Sequence, residues 1–154
     1  MTDLKAGDLV VWPGDVYGMY YPKHVAIVVP IFGEPVLYES TEQDRPPCVR
    51  TSRDNPKGVQ AHRVNEIVKP TDHARHYALY RPLYDDEELR LLDTVEYCLG
   101  RDYEYVGGPG SAGFVAHVLK QTGVFTDKNE RFTVRRLMKE CTYRGLYKNV
   151  GVFD

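Results

Sequence analysis

Alternating and continuous apolar runs fill the first half of the chain and predict a group of β-strands. Residues 23–29 are rich in β-branched side chains, which favour strands. Segments with Pro and Gly separate the runs, so we expect a loop at residues 16–22 and a hairpin connection at residues 30–35. The predicted strands are residues 9–12, 23–29, 36–40, 58–64 and 76–82. Residues 13–15 are expected to end the first of them.

Helical spacing replaces this alternation in the second half. Residues 85–99 open with acidic side chains, which suit the positive end of a helix dipole, and Gly100 ends the pattern. A second predicted helix ends at Gly123, and Thr133 is the expected cap of a third. The helical period of the first helix appears at Leu89, Leu92, Val95, Glu96 and Leu99. The positions expected to face inward in the other two helices are Phe114, Val115, Val118 and Leu119, then Val134, Leu137, Met138 and Cys141. Strands followed by helices predict an α+β fold.

Ser111 falls at the N-terminal edge of the second predicted helix. Free backbone N–H groups and the helix dipole favour negative charge there, so a nucleophile at this position would have its ionised form stabilised beside an oxyanion site. Serine is also an ordinary helix N-cap. From this stretch alone, capping is the favoured interpretation.

Residues 41–57 are polar and contain three prolines, Pro46, Pro47 and Pro56. We expect a surface excursion over the sheet, because a polar, Pro-rich segment of this length has little to bury. It is predicted to be the most mobile internal segment and to lie over a cleft that it gates.

Composition narrows the class of protein. A chain of 154 residues is enough for one domain with a core, so we expect a single domain over residues 1–154. A formal net charge of -2 gives no support for a nucleic-acid partner. No apolar run reaches the ~18 residues of a membrane span, and no signal region opens the chain, which predicts a cytoplasmic protein without an integral membrane segment. The three cysteines show no metal-ligand spacing, and we expect neither a metal nor a cofactor.

Several short motifs, each weak alone, occur in an order that resembles the permuted papain-like branch of the NlpC/P60 superfamily. That branch includes YiiX/YebB-like bacterial proteins, lecithin–retinol acyltransferase relatives and a poxvirus group. The resemblance covers residues 5–123 and implies a circularly permuted papain-like fold, with an antiparallel sheet packed on a nucleophile helix. The motifs are Gly7-Asp8-Leu9, Lys23-His24-Val25-Ala26-Ile27-Val28, Leu37-Tyr38-Glu39-Ser40-Thr41, Gly58-Val59-Gln60 and Ser111-Ala112-Gly113-Phe114-Val115.

The resemblance also implies a catalytic site. Ser111 occupies the position of the family's nucleophilic cysteine, His24 that of the general base, and Glu39 that of the residue that orients the histidine. Without the resemblance, the last two would be interpreted as solvated surface groups. The implied oxyanion or cleft residues are Tyr103, Tyr105 and Gly110, and packing is an equal alternative for the two tyrosines.

The other histidines and cysteines are interpreted more simply. Cys98 lies at helical spacing from Val95 and resembles a small core residue, which makes it only a runner-up nucleophile. Cys48 lies in the polar excursion and is a weaker runner-up. Histidines interpreted as structural or surface residues are His62, His73, His76 and His117.

The implied activity is hydrolysis or acyl transfer at an amide or ester bond, on a peptide, peptidoglycan-type or lipid/acyl substrate. A serine hydroxyl cannot form the thiolate that a Cys–His site uses, so we expect weak turnover or none. Either Ser111 is an inactivating replacement of a cysteine, or the natural protein has lost or altered its thiol chemistry. The alternative is a catalytically dead papain-like fold that serves as a binding or structural module. Nothing in the sequence indicates the oligomeric state.

Overall fold

The computed structural model describes residues 3–16, 19–41, 58–101, 110–126 and 132–153. Within these ranges the chain forms a mixed α+β fold, with a six-stranded antiparallel sheet and four α-helices. The strand order is β4-β3-β2-β1-β5-β6. The strands are β1 (Leu9–Val16), β2 (Met19–Ile31), β3 (Glu34–Thr41), β4 (Gly58–Arg63), β5 (Arg75–Leu79) and β6 (Tyr147–Val152). The helices are α1 (Val64–Ile67), α2 (Asp85–Cys98), α3 (Gly110–Thr122) and α4 (Val134–Tyr143), with a 3₁₀ turn at Pro70–Asp72.

The first two strands form a longer ribbon than the sequence predicts. Pairing continues from Leu9↔Ile27 through a register shift to Val16↔Met19. The predicted closure at residues 13–15 and loop at residues 16–22 are therefore wrong for the described positions. Pairing with a neighbouring strand overrides the turn preference of Gly and Pro, since each strand supplies the other's hydrogen-bond partners.

A two-residue turn joins β2 and β3. Phe32 and Gly33 both have positive φ angles, 51° and 78°, as in the type I′ turns that match the twist of a hairpin. Pro30 and Pro35 are paired strand residues rather than loop residues, so the predicted connection at residues 30–35 is too wide.

The two faces of the sheet carry separate apolar clusters. Val25, Ile27 and Tyr38 lie on the face that α2, α3 and α4 cover, together with Phe114. Val10, Trp12, Ala26, Val28 and Leu37 form a smaller cluster with α1 and the C-terminal Phe153 on the opposite face. Since side chains alternate along a strand, neighbouring residues of β2 belong to different clusters.

The inward faces of the late helices follow the predicted period in two of three cases. Every apolar position predicted for α3 and α4 is buried. Thr133 caps α4 by accepting a hydrogen bond of 3.1 Å from Arg136 N. In α2, however, Leu91, Val95 and Cys98 are buried while Leu89 is 63% exposed. Leu89 shares the helical period read from the sequence but lies off the buried stripe of α2, which runs through Leu91, Val95 and Cys98.

The last strand was not predicted from the sequence. β6 is an edge strand paired with β5, and Tyr147 alone among its residues is buried. The Tyr147 hydroxyl donates a hydrogen bond of 2.6 Å to Gly7 O, which fastens this edge to the start of the chain. A strand with so little buried surface shows almost no hydrophobic alternation for sequence analysis to detect.

In the parts of the chain that the structure describes, no helix combines the length and apolarity needed to cross a membrane. The predicted excursion lies outside the described residues apart from Thr41, which ends β3.

Candidate active site

A gap opens in the sheet at one end of β2. Pairing between β2 and β3 starts at Ile31↔Glu34 and ends at Ile27↔Tyr38, and beyond this point the described part of β3 pairs with β4. On the other side of β2, the register passes from Trp12↔His24 to Pro13↔Pro22, which leaves Lys23 as an extra residue. Such bulges redirect side chains near functional sites. On the β3 side, no strand pairing joins the segment around His24 to the described part of β3.

The N-terminus of α3 reaches this gap. Ser111, the second residue of the helix, is 5% exposed, and its Oγ accepts a hydrogen bond of 3.3 Å from Val25 N. The hydroxyl thus satisfies a strand N–H at a level where β2 has no pairing with β3. Gly110 has a φ of +84°, a left-handed conformation that glycine adopts without steric cost.

His24 and Glu39 form a direct contact across the gap. His24 Nε2 meets Glu39 Oε1, and the carboxylate is fully buried while the imidazole is 17% exposed. The Trp12 ring packs beside the imidazole, with 5.2 Å between ring centroids. Because Nε2 is engaged by the carboxylate, Nδ1 is the ring nitrogen left to accept a proton from a nucleophile.

A second histidine lies behind the carboxylate. His62 Nε2 is 3.1 Å from Glu39 Oε2 and 3.1 Å from Gln60 Oε1. His62 and Gln60 both lie on β4 and are fully buried, and Gln60 is the register partner of Glu39. The sequence interpretation of His62 as a structural or surface histidine did not predict its contact with Glu39. The alternation of Gln60 and His62 on one face of β4 was a usable sequence feature, but the register that places them beside Glu39 was not.

The structure brings some predicted residues together and not others. His24 contacts Glu39, and Ser111 binds the backbone of the residue that follows His24. Among the described residues, no hydrogen bond joins the Ser111 hydroxyl to the His24 ring. α3 packs on one face of the sheet, whereas the His24 ring packs beside Trp12, which belongs to the apolar cluster of the opposite face. Gly110 begins α3, while Tyr103 and Tyr105 lie outside the described residues.

Cys98 is a poor candidate for a nucleophile. The side chain is fully buried, and burial raises the pKa of its thiol to about 11, with the nearby Arg101 opposing the shift only in part. A thiol with such a pKa is almost entirely protonated near neutral pH. Cys48 lies outside the described residues.

Two other histidines, His76 and His117, lie outside the candidate site. His76 Nε2 lies 2.8 Å from Asp8 Oδ2, and this buried pair links β5 to the start of β1. His117, on α3, is half-buried, and its pKa is lowered by burial and by the charge of Lys120. These two positions agree with the structural interpretation.

Comparisons with known proteins support the fold. No protein-family model matches the chain. No curated protein matches its sequence. Among solved structures, the fold is similar to the crystal structure of metalloprotein yiiX from Escherichia coli O157:H7, DUF1105, with a TM-score of 0.58. The match covers 96% of this chain and 88% of that chain at 11% sequence identity, so it shows the fold alone.

Proposed function

We propose that this chain is a permuted papain-like protein of the NlpC/P60 type, built to cleave or transfer an acyl group at an amide or ester bond. The observation that carries the proposal is the contact of His24 Nε2 with the buried Glu39 carboxylate, next to the strand residue that binds Ser111. A carboxylate that orients an imidazole beside the N-terminus of a helix is the arrangement of a nucleophilic hydrolase. The fold similarity to yiiX supports the α+β architecture that the proposal requires.

The chemistry follows from these positions. His24 Nδ1 accepts the proton of the Ser111 hydroxyl, and Oγ forms a bond to the substrate carbonyl carbon as the carbonyl electrons move onto oxygen. The free N–H groups at the start of α3 stabilise that oxyanion. When the tetrahedral species collapses, the bond to the amine or alcohol breaks, and His24 returns the proton to the leaving group. Water, or an acceptor alcohol or amine, then takes the acyl group from Oγ.

Serine limits this chemistry. A thiol beside an imidazole ionises readily, whereas a serine hydroxyl needs its proton removed as the new bond forms. We therefore propose a site shaped for a thiol that has weak activity with Ser111. The substrate classes that suit the proposal are a peptide, a peptidoglycan-type amide and a lipid or acyl ester.

A second candidate function is a binding module without catalysis. Ser111 is almost fully buried, and its Oγ already accepts a hydrogen bond from Val25. A hydroxyl in such a contact is also well suited to a purely structural role. The two candidates differ in one outcome, which is whether a covalent acyl adduct forms at position 111.

The name of yiiX as a metalloprotein describes that protein. In the described part of this chain, no three side chains of His, Cys, Asp or Glu are placed to hold a metal ion. At the candidate site, the potential ligand atoms of His24 and Glu39 contact each other directly. These residues do not fit a resident metal, so none of the proposed steps uses one.

Intact-mass spectrometry tests the proposal. The unmodified protein, Ser111→Cys and Ser111→Ala are incubated with a panel of p-nitrophenyl esters and peptide p-nitroanilides. We expect Ser111→Cys to form an acyl adduct at least ~10-fold faster than the unmodified protein, because thiolates are the better nucleophiles. Ser111→Ala should form none at this position. Equal labelling of all three proteins would contradict catalysis and favour the binding module.

A further inference from the structure

We infer that His62 is a positioning residue of the candidate site, and that it holds the Glu39 carboxylate against His24. Glu39 lies between two histidines, one on each oxygen: His24 at Oε1 and His62 at Oε2. The inference rests on the proposed function for its catalytic meaning. Its structural part, the link from His62 through Glu39 to the His24 ring, is measurable without any substrate.

The contact between His62 and Glu39 matters because both side chains are buried. Glu39, His62 and Gln60 are each 0% exposed. A buried carboxylate is stable only when N–H or O–H groups replace the hydration that it has lost. His62 Nε2 lies 3.1 Å from Oε2, on the side of the carboxylate away from His24, as an electrostatic contact rather than a hydrogen bond.

The surroundings of His62 specify which nitrogen carries a proton. Nε2 lies 3.1 Å from both Gln60 Oε1 and Glu39 Oε2. An unprotonated Nε2 would direct its lone pair at two oxygen acceptors, whereas Nε2–H donates to Gln60 and places a positive hydrogen near Glu39. Gln60 and Glu39 are direct register partners on β4 and β3, so the strand pairing itself sets this arrangement.

The position of the Glu39 carboxylate determines the tautomer of His24, the proposed base. The positive Nε2–H of His62 beside Oε2 disfavours rotation of the carboxylate, so Oε1 stays against His24 Nε2. That contact keeps the proton of the His24 ring on Nε2 and leaves Nδ1 as the basic nitrogen. Loss of His62 leaves His24 in place but loosens its orientation and lets the other tautomer form.

The unmodified protein gives the first test. Long-range ¹H–¹⁵N spectra of the imidazoles at pH 7.5 report which ring nitrogens bear hydrogen. The inference requires a protonated Nε2 in both His62 and His24. An unprotonated His62 Nε2 overturns it, whatever the catalytic activity proves to be.

Variants give the second test, in a Ser111→Cys background so that thiol alkylation reports on the base. His62→Leu removes the polarised N–H beside the buried carboxylate, so it should lower the alkylation rate at neutral pH about 10-fold and should shift the His24 ¹⁵N signals. His62→Gln keeps an N–H donor at a similar distance from the backbone and should restore the rate to within about 3-fold. Unchanged His24 signals in His62→Leu overturn the inference.

His76→Leu is the matched control. His76 is also a buried histidine on a carboxylate, that of Asp8, but it lies on β5 outside the candidate site. Its loss should affect stability without moving the His24 signals or the alkylation rate. If His62→Leu does not fold, His62→Gln and the spectra of the unmodified protein decide the question. If alkylation of Ser111→Cys does not depend on His24 at all, the proposed function fails while the spectra still test the positioning.

Discussion

The hydroxyl of Ser111 accepts a hydrogen bond of 3.3 Å from the backbone N–H of Val25, although 86 positions separate the two residues along the chain. The bond places the start of α3 in the gap between β2 and β3, directly beside the strand position of His24. The Val25 N–H is available to Ser111 because the pairing of β2 with β3 ends at Ile27↔Tyr38, while the His24 ring lies on the opposite face of the sheet from α3. The candidate site therefore depends on the separation of two strands.

The β2–β3 turn offers a stabilising substitution. Phe32 has a φ of 51° and its side chain is fully exposed, so it bears the cost of a left-handed conformation without gaining burial. Phe32→Asn should raise the free energy of unfolding by about 0.5–1 kcal/mol, because Asn is favoured at this position of type I′ turns. Urea denaturation measures the change. Phe32→Leu serves as the control and should show no gain, and an equal gain from both would contradict the conformational explanation.

The start of α2 should give the protein acid sensitivity. The Arg81 guanidinium donates two hydrogen bonds to Glu87, of 2.9 and 3.0 Å, and lowers the pKa of that carboxyl below its ordinary value of 4.5. A carboxyl with a lowered folded-state pKa stabilises the fold above its unfolded-state pKa, and this stability is lost as the pH falls through the folded-state value.

Urea denaturation between about pH 7 and pH 3 measures this effect. Glu87→Gln removes the titrating group, so its stability should decline less steeply below the ordinary pKa of 4.5 than that of the unmodified protein. Asp85→Asn, at a neighbouring exposed acid without a described ion pair, is the control and should keep the steeper decline. Parallel curves for Glu87→Gln and the unmodified protein would show that the pair contributes nothing to the pH dependence.

Cys98 should be unreactive in the folded protein. Burial raises the pKa of its thiol to about 11, so the thiolate is scarce at pH 8 and the side chain is also inaccessible. We expect iodoacetamide to modify Cys98 at least ~100-fold more slowly than glutathione, and to modify it readily in guanidinium chloride. Peptide mapping by mass spectrometry resolves this cysteine from the others. Modification of native Cys98 at the rate of glutathione would contradict the buried assignment.

Local sequence features predict part of this structure well. The α4 helix could be predicted from the sequence because its cap, Thr133, and its helical period, at Leu137 and Cys141, lie within ten residues of each other. The extension of β1 and β2 could not be predicted in this way, because Pro13 and Gly14 favour a turn in the absence of a partner strand.

Part of the candidate site could likewise be predicted from the sequence, and part could not. His24 and Glu39 were found only through the resemblance to a family, and the structure shows that they are in contact. Their catalytic roles, and that of Ser111, stay predictions. His62 was missed because its contact with Glu39 depends on the β3–β4 register and on the length of the segment that connects those strands. Such long-range pairing leaves no periodic pattern in the sequence.

We propose that His24 acts as a base on the side chain at position 111. The most direct measurement is the rate of iodoacetamide alkylation of Ser111→Cys as a function of pH, alone and combined with His24→Ala, with Cys48 replaced by serine. Peptide mapping separates the new thiol from Cys98 and Cys141, which are buried. Ser111→Ala in the same background gives the background labelling.

We expect the Ser111→Cys thiol to ionise at least about one pH unit below the ordinary value near 8.5, because an imidazole and a helix N-terminus both favour the thiolate. Adding His24→Ala should return the pH profile toward that ordinary value and slow alkylation at pH 7. An ordinary thiol profile that does not change when His24 is lost would contradict this expectation and leave the chain as an α+β fold without a catalytic base.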